Sequence, residues 1–413
     1  MQMTVKRMAQ SATKPKVLII AGTTAVGKTD LSIHLAKRLN GEVISADSVQ
    51  VYRHMDIGSA KVTRDIQAAV PHHLLDVVGI SQSFSAGDYC RLATSAVQDV
   101  IARHHVPLVD VIARHHVPLV VGGTGLYIQT LMEGSTGAPP STPDSRAMVE
   151  SMVERDGHSW DMSIARLEAL DPDYAATLTV NDWYRLKRAL EICTLSNRSV
   201  TSFKKTYNPE DALYHFKCLF LSMPRVNLYK RIDMRCEAMV QDGLLQEVIS
   251  LVKNHQLTPN CQAGRSIGYR QALEYLQSVW EYPTVGGAAC AQHPLQDLRT
   301  TFNQFFSTYQ ARTRELAGRQ LAWFKSNADF QWVNMAPRSQ ILPMDVVGEA
   351  VVQWFLEDKP LPEDLNGSSL QMLTREEKLD LKEYTAKHNR PMDSATVDSV
   401  LHQLQCCLNS SVT

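Results

Sequence analysis

Residues Gly22 to Thr29 read GTTAVGKT, a G-x-x-x-x-G-K-[ST] run whose flanks leave it few folds to belong to. Before it, Val17-Leu18-Ile19-Ile20 is a short apolar, β-branched run suited to a strand buried on both faces of a parallel sheet. After it, Leu31, Ile33, Leu35, Ala36 and Leu39 recur at helical spacing, and Gly41 ends the pattern. Strand, glycine turn and helix start together make a nest of backbone N–H groups at the positive end of a helix dipole, where a di- or triphosphate fits. Gly22, Thr23, Thr24, Ala25, Val26 and Gly27 would form the cradle, with Lys28 reaching the terminal phosphates. The Thr29 hydroxyl would ligand Mg²⁺, which is therefore the expected cofactor. The loop alone does not say which phosphate ester is held.

The same alternation continues downstream. Residues 17–130 interleave short apolar runs (VLII, EVISA, VPLVVGG) with helical stretches, the pattern of an α/β fold with a parallel sheet and covering helices. A Pro/Ser/Gly linker, GAPPSTPDS at 137–145, leads into residues that read as helices over 145–155, 159–170 and 182–195. Residues 213–221 can return a strand to the sheet, helices dominate 224–330, and 283–294 read as a loop. The expected architecture is a P-loop NTPase-like parallel sheet flanked by helices, with a helical insertion domain. Its parts are a disordered start over 1–15, an α/β core over 16–137, a helical insertion over 138–212, a mostly helical return over 213–335 and an acidic extension over 336–413.

At 413 residues and 44% hydrophobic content the chain can bury a large core, and no apolar run approaches the roughly 20 residues of a membrane span. Eight cysteines without a CxxC pair or a Cys/His ligand set suit a reduced, intracellular protein. Lys6, Arg7, Lys14 and Lys16 precede the first acidic residue, Asp30, as a short targeting stretch or an ordinary disordered start would. A cytoplasmic or organellar location (plastid or mitochondrion), no membrane and a monomer are expected. The net charge of −1 hides a division: residues 181–235 hold eleven Lys/Arg against five Asp/Glu, and residues 338–413 hold seven against twelve. A local basic stretch suffices to grip nucleic-acid phosphates.

The sequence DVIARHHVPLV occurs twice in immediate tandem, at 99–109 and 110–120. Two identical eleven-residue copies are too few and too short for a solenoid, so this is a recent duplication or an error in the sequence. Only one VPLV can lead into Gly122-Gly123. The second copy is expected to do so, with the first extending the preceding helix or looping out near Pro107.

Asp47 follows the EVISA run, and in a parallel α/β sheet the carboxyl ends of adjacent strands line one crevice. A carboxylate there can hold Mg²⁺ through water or act as general base on an incoming nucleophile. Gln50 can read a nucleobase edge through its amide. VVGGTGLYIQTLMEG at 120–134 is a second strand-to-glycine turn that would project the Thr124 hydroxyl into the same crevice.

GTTAVGKT, SADSVQVYRHMDIGSAK, VPHHLLD, VVGGTGLY, NDWYRLKRALEI, PRVNLYKRIDMRCEAMVQDGLLQEV, SIGYRQALEYL and TRELAGRQLAWF occur in that order over roughly 16–335. Together they resemble the tRNA dimethylallyltransferase (tRNA isopentenyltransferase) family, which prenylates N6 of the adenosine beside the anticodon. NDWYRLKRALEI is similar to plant-type members, where bacterial ones more often carry a Pro-Gln-Arg version. The resemblance implies that the phosphate loop holds dimethylallyl diphosphate as prenyl donor, and that the second substrate is the anticodon stem-loop of tRNA with its target base flipped from the stack. It implies that Lys28 stabilises the leaving diphosphate, that Asp47 accepts the N6 proton and that Thr124 positions the amine. Asp47, Ser48, Val49 and Gln50 match the segment contacting the base, although the family often has Arg or Met where Val49 stands. Tyr184, Arg185 and Arg188 match a tRNA-contacting segment, with Tyr184 replacing a Gln and able to stack on a base. Arg225, Arg231 and Arg235 match basic positions near the diphosphate or the RNA backbone; Arg231 and Arg235 are assigned to the donor and Arg225 to tRNA. Many eukaryotic members end in a zinc finger, which the Cys/His spacing excludes here. Residues 336–413 carry no recognised motif, and the charged helix read at 374–388 should repel RNA.

Three other readings remain open on sequence. An adenylate isopentenyltransferase making cytokinin precursors from AMP, ADP or ATP would use the same fold, but SADSVQ, the long insertion and IGYRQ favour the tRNA type. A small-molecule kinase would need an arginine-rich lid and no 181–235 segment. A non-catalytic binding protein would need neither Asp47 nor Thr124, although the duplication just before Thr124 keeps that reading open.

Overall fold

The computed structural model of the chain describes residues 14–103, 116–134, 137–203, 212–279, 295–336, 342–387 and 394–409. Its centre is a six-stranded sheet built from β1 (Lys16–Gly22), β2 (Glu42–Ala46), β3 (His72–His73), β4 (Pro118–Gly122), β5 (His215–Ser222) and β6 (Phe330–Asn334). The order is β3-β2-β4-β1-β5-β6 and every pairing is parallel. Val17 to Ala21 are wholly buried, as are Leu119 and Val120 of β4 and Leu219 to Leu221 of β5. Such strands need apolar residues on both faces, which is why they read as continuous runs and not as alternations.

The chain divides into two compact units. One gathers the described residues of Met1–Phe84, Leu92–Ile128 and Tyr214–Thr413, and the other those of Ser85–Arg91 and Gln129–Leu213. The first unit holds the whole sheet. Its parallel connections run through helices Lys28–Leu39, Arg64–Ala69 and Ala86–Ala102, and the sheet closes with β5 and β6 after the second unit has been traversed. β4 is indeed formed by the second copy of VPLV, while Asp99 to Ala102 of the first copy end the Ala86–Ala102 helix. Residues 104–115, with Pro107, lie outside the described residues, as do 283–294.

Two strands escaped the sequence reading. β3 is two residues long, and β6 carries the polar Gln331 and Asn334 between buried Phe330, Trp332 and Val333. The acidic C-terminal segment folds onto the first unit. Helix Met344–Glu357 lays Gly348 against the His34 ring of helix Lys28–Leu39. Lys16 and Lys217 donate to the last carbonyls of that helix, at Phe355 and Trp354, and both pair with Asp358. Helix Arg375–Lys387, the charged run, delivers Tyr384, whose hydroxyl donates to Asp233 on helix Arg225–Gln241. Among the described residues no helix is long and apolar enough to cross a membrane.

The second unit has its own core. Val149, Leu167, Ala175, Leu186, Ala189, Leu190 and Cys193 pack together, with Trp160 and Trp183 edge to face at its rim. Its helices Pro143–Arg155, Trp160–Glu168 and Trp183–Ser196 begin at side-chain caps from Thr142, Ser159 and Asp182, each satisfying an orphan N–H of the first turn.

The carboxyl edge of the sheet leaves little room. A Cβ on Gly122 would lie 2.1 Å from the Ala46 carbonyl oxygen of the neighbouring strand. Gly122→Ala should therefore push β2 from β4 and cost roughly 1–3 kcal/mol in urea unfolding. Gly318→Ala, where nothing lies within 4 Å of the new methyl inside helix Leu295–Lys325, should instead gain roughly 0.5–1 kcal/mol.

Candidate active site

The phosphate loop joins β1 to helix Lys28–Leu39, one residue earlier than the sequence pattern placed the helix start. Gly27 takes φ 106° at the N-cap, a left-handed conformation that glycine adopts without strain. Lys28 Nζ donates to the carbonyls of Gly22 and Thr23 at 3.0 and 2.7 Å, so the lysine ties the loop to itself and keeps a third N–H for a ligand. Burial brings the Lys28 ammonium down to about 7; the positive charge of Arg235 adds to this and the carboxylate of Asp47 opposes it. An ammonium held this reluctantly gains much from an arriving anion.

Asp47 stands directly after β2. Its Oδ1 accepts from Val49 N at 2.8 Å and Gln50 N at 3.3 Å, a turn that fixes the carboxylate and leaves Oδ2 without a hydrogen bond among the described residues. Thr124 stands directly beyond β4 and its glycine pair. Its N donates to Ala46 O, and its Oγ1 accepts from Ser48 N at 3.1 Å. Asp47, Ser48 and Thr124 are thereby locked together across two adjacent strand ends. The Gln50 amide is spent on the protein itself, with Ser45 Oγ on one side and the Ser59 and Ala60 carbonyls on the other. It holds the 45–60 loop closed, and reading a base would require breaking those bonds.

Helix Arg225–Gln241 brings basic side chains to the loop. The Arg231 guanidinium approaches to 3.9 Å of where a Gly27 Cβ would be, and Arg235 lies close enough to Lys28 to disfavour its charge. Arg225 is half-buried at the start of the same helix. Thr24, Ala25, Asp47, Ser48, Val49 and Arg235 line one cavity of about 390 Å³. Ile232, Cys236, Met239 and Tyr309, all buried, line the same cavity beside Arg235. Desolvation pushes the Cys236 thiol up to about 11 and the Tyr309 hydroxyl well above its usual range, so both stay neutral near pH 7.

Three residues of the tRNA-assigned set lie in the second unit. Tyr184 is 79% exposed and Arg185 is exposed beside Asp182, both free to meet a ligand. Arg188 is drawn inward instead. It pairs with the buried Glu191 and donates to the Pro139 carbonyl, which makes it a structural strut of its unit. Sequence reasoning also missed residues the cavity uses. Arg265 and Arg319 line it and, like Arg231 and Arg235, make no ion pair among the described residues. Arg265 directly precedes SIGYRQ and Arg319 lies inside TRELAGRQLAWF, so both were within reach as unassigned cations of matching segments.

The donor set suits Mg²⁺ only in company. The Thr29 side chain is exposed at the first turn of its helix, Asp47 Oδ2 is open, and the Thr23 hydroxyl is buried without a partner. Among the described residues no three His, Cys, Asp or Glu gather as a metal cage. An ion here would take its remaining ligands from phosphate oxygens and water, as Mg²⁺ does.

Comparison with known proteins points to one family. The model of the IPP transferase family matches residues 50–327. A tRNA dimethylallyltransferase of Protochlamydia amoebophila is 35% identical over 336 residues, 81% of this chain and 88% of that protein. tRNA dimethylallyltransferase 9 of Arabidopsis thaliana is 33% identical over 95% of this chain and 86% of its own length. Among solved structures, a tRNA isopentenylpyrophosphate transferase from Bacillus halodurans aligns at TM-score 0.54 and 32% identity, covering 83% of this chain and 98% of that one. A eukaryotic dimethylallyltransferase described as acting on tRNA aligns at 0.65 and 25% identity, covering 92% and 87%. With its phosphate loop, its all-parallel sheet and a family match across two thirds of its length, the chain belongs to the IPP transferase family.

Proposed function

We propose that this protein transfers a dimethylallyl group from dimethylallyl diphosphate to N6 of the adenosine 3′ of the anticodon, position 37, in tRNA, with release of diphosphate. The observation that carries this reading is the mixed lining of one cavity: Thr24 and Ala25 of the phosphate loop with Arg235, Arg265 and Arg319, beside buried Ile232, Cys236, Met239 and Tyr309. A diphosphate that bears a short branched allyl chain combines anionic and apolar surface in the same way. The relatives' activity on tRNA is consistent with it.

The chemistry follows from the placement of the groups. The N6 lone pair attacks C1 of the donor as the C1–O bond breaks, and the diphosphate leaves with the electron pair. Lys28, Arg231, Arg235 and the loop N–H groups take up the growing charge on the leaving oxygens. Thr124, oriented by Ser48, holds the amine in line, and Asp47 Oδ2 accepts its proton. Buried Ile232, Cys236, Met239 and Tyr309 in the lining disfavour water beside the allylic carbon while it carries positive charge. Bound Mg²⁺, held through Thr29 and the phosphates, would supply further neutralisation of the leaving group. The base must leave its stack to reach Asp47 and Thr124. Tyr184 and Arg185, exposed on the second unit, offer tRNA a stacking and a phosphate contact.

Anticodon stem-loop RNA incubated with labelled dimethylallyl diphosphate and Mg²⁺, with AMP and ATP present as rival acceptors, should acquire the label. Label on AMP and none on RNA would overturn the tRNA assignment. Asp47→Asn should lower kcat by roughly 10²–10⁴ while leaving donor affinity within a few-fold of wild type; full turnover in that variant would remove Asp47 from the proton transfer. Since Lys28 titrates near 7 in the free protein, donor binding above that pH should draw a proton onto it and weaken as pH rises. Titration calorimetry at pH 8 in two buffers of different ionisation enthalpy should register that uptake. Lys28→Arg, already charged, should lose it.

A further inference from the structure

Gln320 lies near the end of helix Leu295–Lys325, about 200 residues after the second glycine turn and about 300 after the phosphate loop. Its side chain meets both. Oε1 accepts from the Thr24 N–H at 2.9 Å, and Nε2 donates to the Gly123 carbonyl at 3.1 Å. The fit is close on the glycine side, where a Cβ on residue 123 would stand 2.2 Å from that same Nε2. Gly123 immediately precedes Thr124, whose hydroxyl receives Ser48 N, and Ser48 follows Asp47. One amide therefore completes a continuous path from the loop that grips a phosphate to the groups that meet the nucleophile.

The chemistry of the path admits few substitutes. One end presents a backbone donor and the other a backbone acceptor, so the bridging group must accept and donate at once. A carboxylate would face the Gly123 carbonyl with no proton, a cation would face the Thr24 N–H with no lone pair, and Asn is a methylene short. Arg319, the preceding residue, lines the cavity, so this turn of the helix serves both the cavity and the bridge. We propose, on the reading that the site performs prenyl transfer, that Gln320 is a positioning residue. It sets the separation between the diphosphate cradle and the Thr124–Asp47 pair, and hence the distance over which the amine attacks. Its effect is on the transition-state geometry more than on donor capture.

Two variants divide the bridge. Gln320→Glu keeps the acceptor for Thr24 and loses the donor to Gly123; Gln320→Leu loses both at similar volume. In the full-length protein Gln320→Glu should lower kcat by about 10–100-fold, and its added negative charge beside the loop should also raise KM for dimethylallyl diphosphate. Gln320→Leu should lower kcat as much and raise that KM as well, because the Thr24 N–H is left without its acceptor. Binding of inorganic pyrophosphate with Mg²⁺ and amide hydrogen exchange give readouts independent of turnover. Gln320→Leu should weaken pyrophosphate and speed exchange at Thr24, whereas Gln320→Glu should keep exchange at Thr24 near wild type and weaken pyrophosphate through its added charge. Wild-type kcat in both variants, or a loss of activity that only tracks a lower melting temperature, would overturn the proposal. If the wild-type protein fails to label RNA while the exchange and pyrophosphate differences appear, the bridge stands and the transfer reading falls.

Discussion

The structure depends on a concentration of positive charge at the carboxyl edge of the sheet. Lys28, Arg231, Arg235, Arg265 and Arg319 converge on or beside a cavity whose facing carboxylate is Asp47, and the four arginines make no ion pair among the described residues. Desolvation, with the positive charge of Arg235 adding to it, depresses the Lys28 ammonium to about 7. A site so arranged is unfavourable when empty and favourable once a multivalent anion enters. On the proposed transfer, binding and leaving-group stabilisation would draw on the same interaction.

Holding unpaired cations in place requires supports on the far side of each element. On helix Arg225–Gln241, Asp233 sits between Arg231 and Arg235 in sequence and pairs with the buried Arg314 of helix Leu295–Lys325. Tyr384 from the C-terminal segment donates to the same carboxylate, and its ring lies against Tyr229. Opposite the nucleophile end, Glu247 accepts from the backbone N–H groups of Asp56, Ile57 and Gly58 and from the Tyr269 hydroxyl, fixing the loop that carries Gly58 and Ser59 into the cavity. The acidic extension, whose charge alone suggested only an aversion to RNA, is thus partly a brace for the basic helix.

Much of this was legible in the chain. The GTTAVGKT run, its flanking strand and helix, and the positions of Asp47 and Thr124 after apolar runs are local patterns, set by hydrogen bonding and side-chain period within a few residues. β5 was legible as a returning apolar run, and the second copy of the tandem repeat was identifiable as the strand because it alone abuts Gly122-Gly123. β3 and β6 were not legible, since two residues have no period and Gln331 and Asn334 mask a strand whose partner is far away in sequence. For Arg188 and Gln50 the residue type suggested a ligand contact, but burial beside Glu191 and among the Ser45, Ser59 and Ala60 groups satisfies each within the protein.

The sequence by itself determined the glycine-rich strand-to-helix turn, the parallel sheet and the family, because each is written in contiguous residues whose spacing has one physical reading. Only the tertiary structure decided which cations face the cavity and which amide joins the two glycine turns. Those facts depend on contacts between residues about 200 and 300 positions apart, as in the Gln320 bridge, and no local pattern carries the direction in which a side chain will point once the sheet has closed.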